Sequence, residues 1–246
     1  TGNAVRTQAA ILRQLRGKAG TTRFGHHHGL WDVEKVSEYQ KAVPVRTYED
    51  FWEHWWKPEF PVLQDVTWPG KVPFFAVTSG TTSGTTKYIP LTWETLAQNR
   101  RAALDMIAAH VAAYPESRLF GGRSFVLGGS TSLTREARGV RSGDLSGIVA
   151  KTAPAWMRPF TFPPPALSLT DDWDAKLAAV VAAVGDKTIT SLSGVPSWVL
   201  ILFERLDRAY ADWPLAEMEL FVHGGVSWAP YAKRFAPYLA RSGAVT

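Results

Sequence analysis

A run of hydroxyl-bearing residues and glycines, closed by one lysine, has the residue types and spacing best suited to chemistry. It reads Thr78-Ser79-Gly80-Thr81-Thr82-Ser83-Gly84-Thr85-Thr86-Lys87 and follows an apolar strand predicted over residues 74–77. Small residues let consecutive backbone N–H groups converge on one anion, hydroxyls add donors, and the lysine adds a mobile positive charge. Polyphosphate binding needs these groups. We therefore predict that the phosphate ligands are Ser79, Gly80, Thr81, Thr82, Ser83, Gly84 and Lys87.

This run is not a Walker P-loop, and a plain surface turn is the competing interpretation. The Walker pattern requires Gly and Lys five and six places after its first glycine, whereas Thr85 and Thr86 occupy those places after Gly80. Turns rich in Ser, Thr and Gly are common. The position directly behind an apolar strand favours a ligand loop, because loops at strand ends often carry binding residues.

Three other groups of residues suggest chemistry but have simpler explanations. Adjacent histidines at 26–28 do not share a helix face and have no carboxylate cluster nearby, so we expect an exposed loop and no metal site. The acids Asp171 and Asp172 stand before a predicted helix and are interpreted as its cap. The segment 128–132 contains Gly-Gly-Ser-Thr-Ser and does not match the Gly-x-Ser-x-Gly nucleophile elbow.

Alternating strands and helices are expected to position the loop. Periodicity and breakers predict strands over 74–77, 124–127, 188–192 and 218–222, and helices over 4–16, 93–113, 172–184, 196–206 and from Pro230 onward. Thr92 is the expected N-cap of the second helix. This alternation predicts an α/β fold in which sheets with parallel pairing are sandwiched with helices.

The expected organisation is a helical and loop region over 1–70 followed by an α/β region over 71–246. The last residues after Gly243 resemble a turn that feeds another strand. We therefore expect the α/β region to be cut short and a mobile C-terminal domain to be absent.

Composition narrows the class of protein. The chain has 246 residues, 46% hydrophobic and 20% charged, as in soluble globular domains. It has 0 cysteines, which excludes disulfides, cysteine-ligated zinc and thiol catalysis and fits the cytoplasm, the expected location. No apolar run approaches a bilayer span, so no membrane partner is expected. The net charge of +5 is spread without basic runs, which suits small anions better than nucleic acid.

The loop and several other segments resemble one known family. The run from Ser79 through Lys87-Tyr88-Ile89-Pro90 resembles the phosphate loop of the auxin-responsive acyl-acid amido synthetases, a branch of the luciferase-like adenylate-forming superfamily. The segment around Val43-Pro44-Val45-Arg46-Thr47-Tyr48-Glu49-Asp50 is similar to an upstream segment of that branch. The segments at 143–147 and 193–198 resemble bacterial members, and His223-Gly224-Gly225-Val226 resembles the superfamily's adenine-binding turn.

This resemblance implies a ligase reaction in two halves. ATP and a carboxylic acid give an acyl-adenylate and pyrophosphate with Mg²⁺ as cofactor, and an amine, expected to be an amino acid, then forms an amide. Lys87 is the implied catalytic residue, and Gly224, Gly225 and Val226 are the implied adenine contacts. The implied acyl pocket contains Val195, Trp198 and Leu202, although an apolar helix is more often plain core. Two segments of the family have no counterpart here: the later Ser-Ser-Glu segment and the later ribose-binding Asp. We therefore expect residues 1–246 alone to be inactive.

Two alternatives remain open at the level of sequence. One is a relative that forms an acyl-adenylate or a thioester, or binds nucleotide and acid, without making an amide. The other is a non-enzymatic module that binds polyanions, which is suggested by charge alone. ATP-dependent release of pyrophosphate by a longer protein separates the polyanion-binding module from the amide-forming enzyme and from its relative. An amide product, rather than a thioester, then separates the amide-forming enzyme from that relative.

Overall fold

The computed structural model describes residues 3–78, 86–164, 167 and 172–246, and these form two compact units. The first unit contains residues 1–96 and 134–142, and the second contains 97–133 and 143–246. The first unit therefore includes segments on both sides of residue 70, where the sequence-based division was drawn.

The described helices and strands alternate along much of the chain, as a mixed α/β fold requires. The helices are α1 Ala4–Ala19, α2 Arg23–His27, α3 Val36–Ala42, α4 Tyr48–Phe51, α5 Trp93–Ala113, α6 Leu145–Thr152, α7 Trp173–Val184, α8 Pro196–Ala209 and α9 Ala229–Ala240. The strands are β1 Phe74–Thr78, β2 Lys87–Leu91, β3 Arg123–Leu127, β4 Thr134–Ala137, β5 Val140–Gly143, β6 Thr161–Phe162, β7 Ile189–Gly194 and β8 Leu220–His223. A π-helical turn, Trp52–Trp56, continues α4.

The sheet associated with the first unit has the strand order β2-β1-β5-β4. Its pairs β1–β2 and β4–β5 are antiparallel. Parallel pairing was the wrong expectation for this sheet, because β1 is followed by a return strand rather than by a crossover helix. The fully buried side chains of Leu63, Phe75 and Val140 form the centre of this unit's core.

The second unit contains a sheet of order β6-β3-β7-β8, in which every described pair is parallel. This confirms the α/β class, and the helices α7, α8 and α9 contribute to a shared core with the strands. One stripe of α8 shows the reason: Val199, Leu202, Phe203 and Leu206 follow helical spacing and are all fully buried. Each contributes about 1.5–3 kcal/mol through burial of apolar surface.

Local signals account for several element boundaries. Thr92 caps α5, as predicted, since the Thr95 N–H donates to its hydroxyl at 3.1 Å. The Ala175 N–H donates to the Asp172 carboxylate at 2.7 Å, so the capping prediction is confirmed for that residue, while Asp171 lies outside the described residues. The expected loop at 26–28 is wrong in part, because His26 and His27 belong to α2.

The segment after Gly243 pairs beside β8. The Phe221 N–H donates to the Val245 carbonyl at 2.8 Å, and the Val245 N–H donates to the Glu219 carbonyl at 3.0 Å. This parallel bridge agrees with the predicted turn into a further strand.

Candidate functional site

The base of the predicted phosphate loop is an antiparallel strand pair. Thr78, the last residue of β1, is the register partner of Lys87, the first residue of β2. The loop residues Ser79, Gly80, Thr81, Thr82, Ser83 and Gly84 lie outside the described residues. The strand pair therefore brings the two ends of the loop together and places Lys87 at its base.

The Lys87 amine makes two contacts within the first unit. Its Nζ lies 2.6 Å from Glu49 Oε1 and 4.8 Å from the centroid of the Tyr48 ring. The lysine side chain is 25% exposed and the glutamate side chain 59%. The hydrogen bond from Lys87 is the main cause that lowers the pKa of the Glu49 carboxyl, so this group is anionic at neutral pH.

Helix α4 positions both partners of Lys87. A reciprocal cap begins the helix: the Asp50 N–H donates to the Thr47 hydroxyl at 3.1 Å, and the Thr47 N–H donates to the Asp50 carboxylate at 3.0 Å. The Tyr88 N–H donates to the Tyr48 hydroxyl at 2.8 Å, which ties the ring to the edge strand β2. Desolvation by burial is the main cause that raises the pKa of Tyr48, so its hydroxyl stays protonated. The cap and this hydrogen bond fix the backbone position from which the Glu49 side chain extends.

The carboxyl edge of the parallel sheet forms a second candidate region, in the other unit. Leu127, Gly194 and His223, the last residues of β3, β7 and β8, lie side by side in register. Within this sheet, the strand that follows β3 along the chain is β6 on one side, after β4 and β5 of the other sheet, whereas β7 and then β8 lie on the other side. Ligands of open α/β sheets bind at such a reversal, so the carboxyl ends of β3 and β7 are a candidate ligand crevice.

The predicted adenine-binding turn borders this edge directly. Gly225 has a φ of +84°, which favours glycine, and a Cβ added there would lie 3.4 Å from Val195 Cγ2. A Cβ on Gly224 would meet no atom within 4 Å, and Val226 is 44% exposed. The turn is bracketed by the His223 and Trp228 rings, which stack with centroids 4.1 Å apart. The backbone of the turn is therefore accessible at Gly224, and two stacked aromatic rings flank the turn.

A buried lysine fixes the end of β3. Lys176 in α7 is 3% exposed, and its Nζ donates to the carbonyls of Gly128 at 2.9 Å and Gly129 at 2.6 Å. The Gly129 N–H donates to the Ser146 hydroxyl at 3.2 Å. A Cβ on Gly129 would lie 2.3 Å from Asp144 Oδ2, so the Asp144 carboxylate before α6 would have to move to admit a larger residue. The segment 143–147 therefore supports one wall of the candidate crevice.

The three expected acyl-pocket residues occupy different environments. Val195 is half-buried, and its Cγ2 would lie 3.4 Å from a Cβ added at Gly225. Trp198 is 36% exposed, and its ring lies 5.0 Å from that of Trp173. Leu202 is fully buried within the hydrophobic core. The structure thus brings Val195 next to the adenine turn and places Leu202 in the interior.

Other polar groups near these elements were also considered as sites. Among the described residues, no group of three His, Cys, Asp or Glu side chains could hold a metal ion. Thr131, which follows the Gly128-Gly129 turn, has a buried hydroxyl without a hydrogen-bond partner in the described part of the chain. No helix in that part is long and apolar enough to cross a membrane.

Sequence reasoning missed the supporting residues of both regions. Glu49 lies 38 positions before Lys87, and Lys176 lies 47 and 48 positions after its two carbonyl partners. Such distant pairings leave no local pattern. His223 and Trp228 had a weak signal, since two aromatic rings flank the Gly-Gly pair.

Comparison with known proteins identifies the family. The GH3 family N-terminal domain matches residues 1–212. Two structures described as "GH3.15 acyl acid amido synthetase" and "AtGH3.15 acyl acid amido synthetase in complex with 2,4-DB" have TM-scores of 0.63 and 0.58, each at 19% identity. The chain is covered to 84% and 80%, and it spans 36% of the length of each of those structures. No curated protein sequence matches. On the family match, this chain belongs to the GH3 family and contains its N-terminal domain.

Proposed function

We propose that this chain is part of an enzyme that activates a carboxylic acid with ATP and transfers the acyl group to an amine. A carboxylate oxygen attacks the α-phosphorus of ATP, the bond to the β-phosphate breaks, and pyrophosphate leaves. The amine nitrogen then attacks the acyl carbon, AMP leaves, and the nitrogen loses a proton. An amino acid is the amine we favour, since the solved neighbours are named amido synthetases.

One observation carries the proposal: the β1–β2 pair closes the Ser/Thr/Gly loop and fixes Lys87 at its base. In this proposal the loop's backbone N–H groups and hydroxyls bind the triphosphate, and Lys87 faces the charge that grows as pyrophosphate departs. No described residue is assigned to Mg²⁺, which would offset phosphate charge when bound.

The glycine turn after β8 supports the nucleotide part of the proposal. Gly224 leaves room for a planar ring to pack against backbone, and this turn stands at the carboxyl edge where α/β sheets bind ligands. Val195 lies close to the same turn, since a Cβ added to Gly225 would be 3.4 Å from its Cγ2, so the acid would lie beside it, with Trp198 at the start of α8 as a further contact. The buried Leu202 would shape this pocket from the core.

Exchange of labelled pyrophosphate into ATP tests the proposal, with aromatic, aliphatic and amino acids screened as the acid. The screen uses a protein that contains these residues and extends to the length of the solved neighbours. Lys87→Ala should slow exchange by roughly 10²–10³, the usual effect of losing one preorganised group at a developing charge. Wild-type exchange in this variant would refute the assigned role of Lys87. An amide product distinguishes amide synthesis from thioester formation.

A further inference from the structure

The amine assigned to phosphate binding is already paired with an anion in the structure. Lys87 Nζ lies 2.6 Å from Glu49 Oε1, and the carboxylate belongs to a helix outside the loop. A phosphate oxygen that accepts a hydrogen bond from this amine must share the amine with Glu49 or displace the carboxylate.

The pair is better defined than most exposed ion pairs. Such pairs usually contribute little, because both long side chains must be held in one geometry. Here Lys87 is the first residue of β2, and its amine lies over the Tyr48 ring, whose hydroxyl accepts a hydrogen bond from the Tyr88 N–H. The glutamate starts in the first turn of α4, which the Thr47–Asp50 cap fixes.

The four residues Thr47, Tyr48, Glu49 and Asp50 thus act together at the base of the loop. Thr47 and Asp50 begin the helix, and Tyr48 covers the edge of β2. Glu49 alone directs a charge at Lys87, and its side chain is more exposed than that of the lysine. An exposed carboxylate can turn into solvent when a stronger anion arrives.

We propose that Glu49 is a positioning residue that holds the Lys87 amine at the start of β2 and competes with pyrophosphate for it. The inference rests on the proposed function of Lys87. A polyphosphate bound to the amine has a second anion beside it, and like charges at short range repel. Glu49 therefore weakens pyrophosphate binding and favours its departure after the acid has been activated.

Titration of residues 1–246 with inorganic pyrophosphate at pH 7 tests this inference. Glu49→Gln should lower the dissociation constant about two- to fivefold, the size expected for an exposed charge pair. Glu53→Gln is the matched control, because Glu53 lies four residues further on and pairs with the exposed Lys57 at 2.8 Å. The control should leave affinity unchanged, and Glu49→Asp should restore affinity close to wild type.

A double variant shows whether the effect passes through Lys87. Glu49→Gln added to Lys87→Ala should not tighten binding further, since the amine for which the two anions compete is gone. Equal tightening with and without Lys87 would overturn the positioning role and indicate a general charge effect. Circular dichroism of each variant checks that the fold is retained.

The possible failures are distinguishable. If wild type binds pyrophosphate and Lys87→Ala does not, but Glu49→Gln leaves affinity unchanged or weaker, the inference about Glu49 is wrong and the phosphate loop stands. If wild type and Lys87→Ala bind equally, or if neither wild type nor Glu49→Gln binds, the assigned role of Lys87 fails and the inference fails with it.

Discussion

Replacement of Lys176 by methionine should destabilise the second unit, because two backbone carbonyls lose the amine that donates hydrogen bonds to them. The lysine amine is almost fully buried and donates to the carbonyls of Gly128 and Gly129. A hydrogen bond to a charged group contributes about 1.5–3 kcal/mol, and a buried carbonyl left unpaired costs about 1–3 kcal/mol. Removal of a buried charge offsets part of this loss. Methionine has a similar volume, so the cavity contribution is small, and we expect a net loss of about 2–4 kcal/mol.

Urea unfolding followed by tryptophan fluorescence measures this loss. Lys187→Met is the control, because Lys187 pairs with the exposed Asp186 at 2.6 Å and such pairs contribute at most about 1 kcal/mol. A free energy of unfolding for Lys176→Met within about 0.5 kcal/mol of wild type would refute the reasoning, since surface substitutions reach that range. Equal losses in Lys176→Met and the control would show that burial of the amine has no special effect.

Two further predictions concern the glycine turn and the amino end of β8. Gly224→Ala should weaken ATP binding while changing the free energy of unfolding by less than about 0.5 kcal/mol, whereas Gly225→Ala should lower the free energy of unfolding by about 1–2 kcal/mol because of its positive φ. Calorimetry measures ATP binding and urea unfolding measures stability. Unchanged ATP affinity in Gly224→Ala would count against the adenine assignment. Burial raises the pKa of Glu219, but hydrogen bonds from Ser117 and the Arg118 N–H outweigh it and hold this pKa below its usual range. The contribution of Glu219 is therefore complete above about pH 4.3, the unfolded value, and is lost as pH falls through the folded pKa. Glu219→Gln should destabilise the protein more at pH 7 than at pH 3 in urea titrations, and an equal effect at both values would contradict the prediction.

The sequence predicted the parallel sheet better than the antiparallel one, for a physical reason. Strands β3 and β8 contain the short apolar runs Phe125-Val126-Leu127 and Leu220-Phe221-Val222, and glycines follow each run closely, which is a local strand signal. Strand β2 includes Pro90 and β4 reads Thr-Arg-Glu-Ala, so neither has a buried, alternating pattern. Their pairing depends on partners supplied by β1 and β5, which local patterns do not report.

The helix over 93–113 was predicted with its correct ends because its signals are local. Thr92 provides the cap hydroxyl, and the helix then continues for 21 residues without an internal proline or glycine. The inward face was predicted less well: Leu96 is buried, but Ala103 on the same expected stripe is exposed. Periodicity identifies a stripe, whereas its burial depends on what packs against it.

The candidate site likewise has features that local sequence predicts and features that depend on packing. Residue type and order predicted the phosphate loop, and the family resemblance predicted the Gly224–Val226 turn, because small residues and a strand end are visible in sequence. The surroundings of the turn were not visible: the open space above Gly224, the nearness of Val195 to Gly225, and the stacked His223 and Trp228 rings. Each of these depends on how β7 and β8 lie side by side.

The two candidate regions are restrained in the same way. Lys87 at the start of β2 and the Gly128-Gly129 turn after β3 are each held by a side chain from a helix elsewhere in the sequence. In each unit the restraint comes from a charged side chain near the start of a capped helix: Glu49 after the Thr47 cap and Lys176 after the Asp172 cap. Each restraint matches a hydrogen-bond donor with an acceptor: the Glu49 carboxylate accepts from the Lys87 amine, and the Lys176 amine donates to two carbonyls. Exposure separates the two cases: the Glu49 side chain is 59% exposed, as the proposed competition with pyrophosphate requires, whereas Lys176 is 3% exposed.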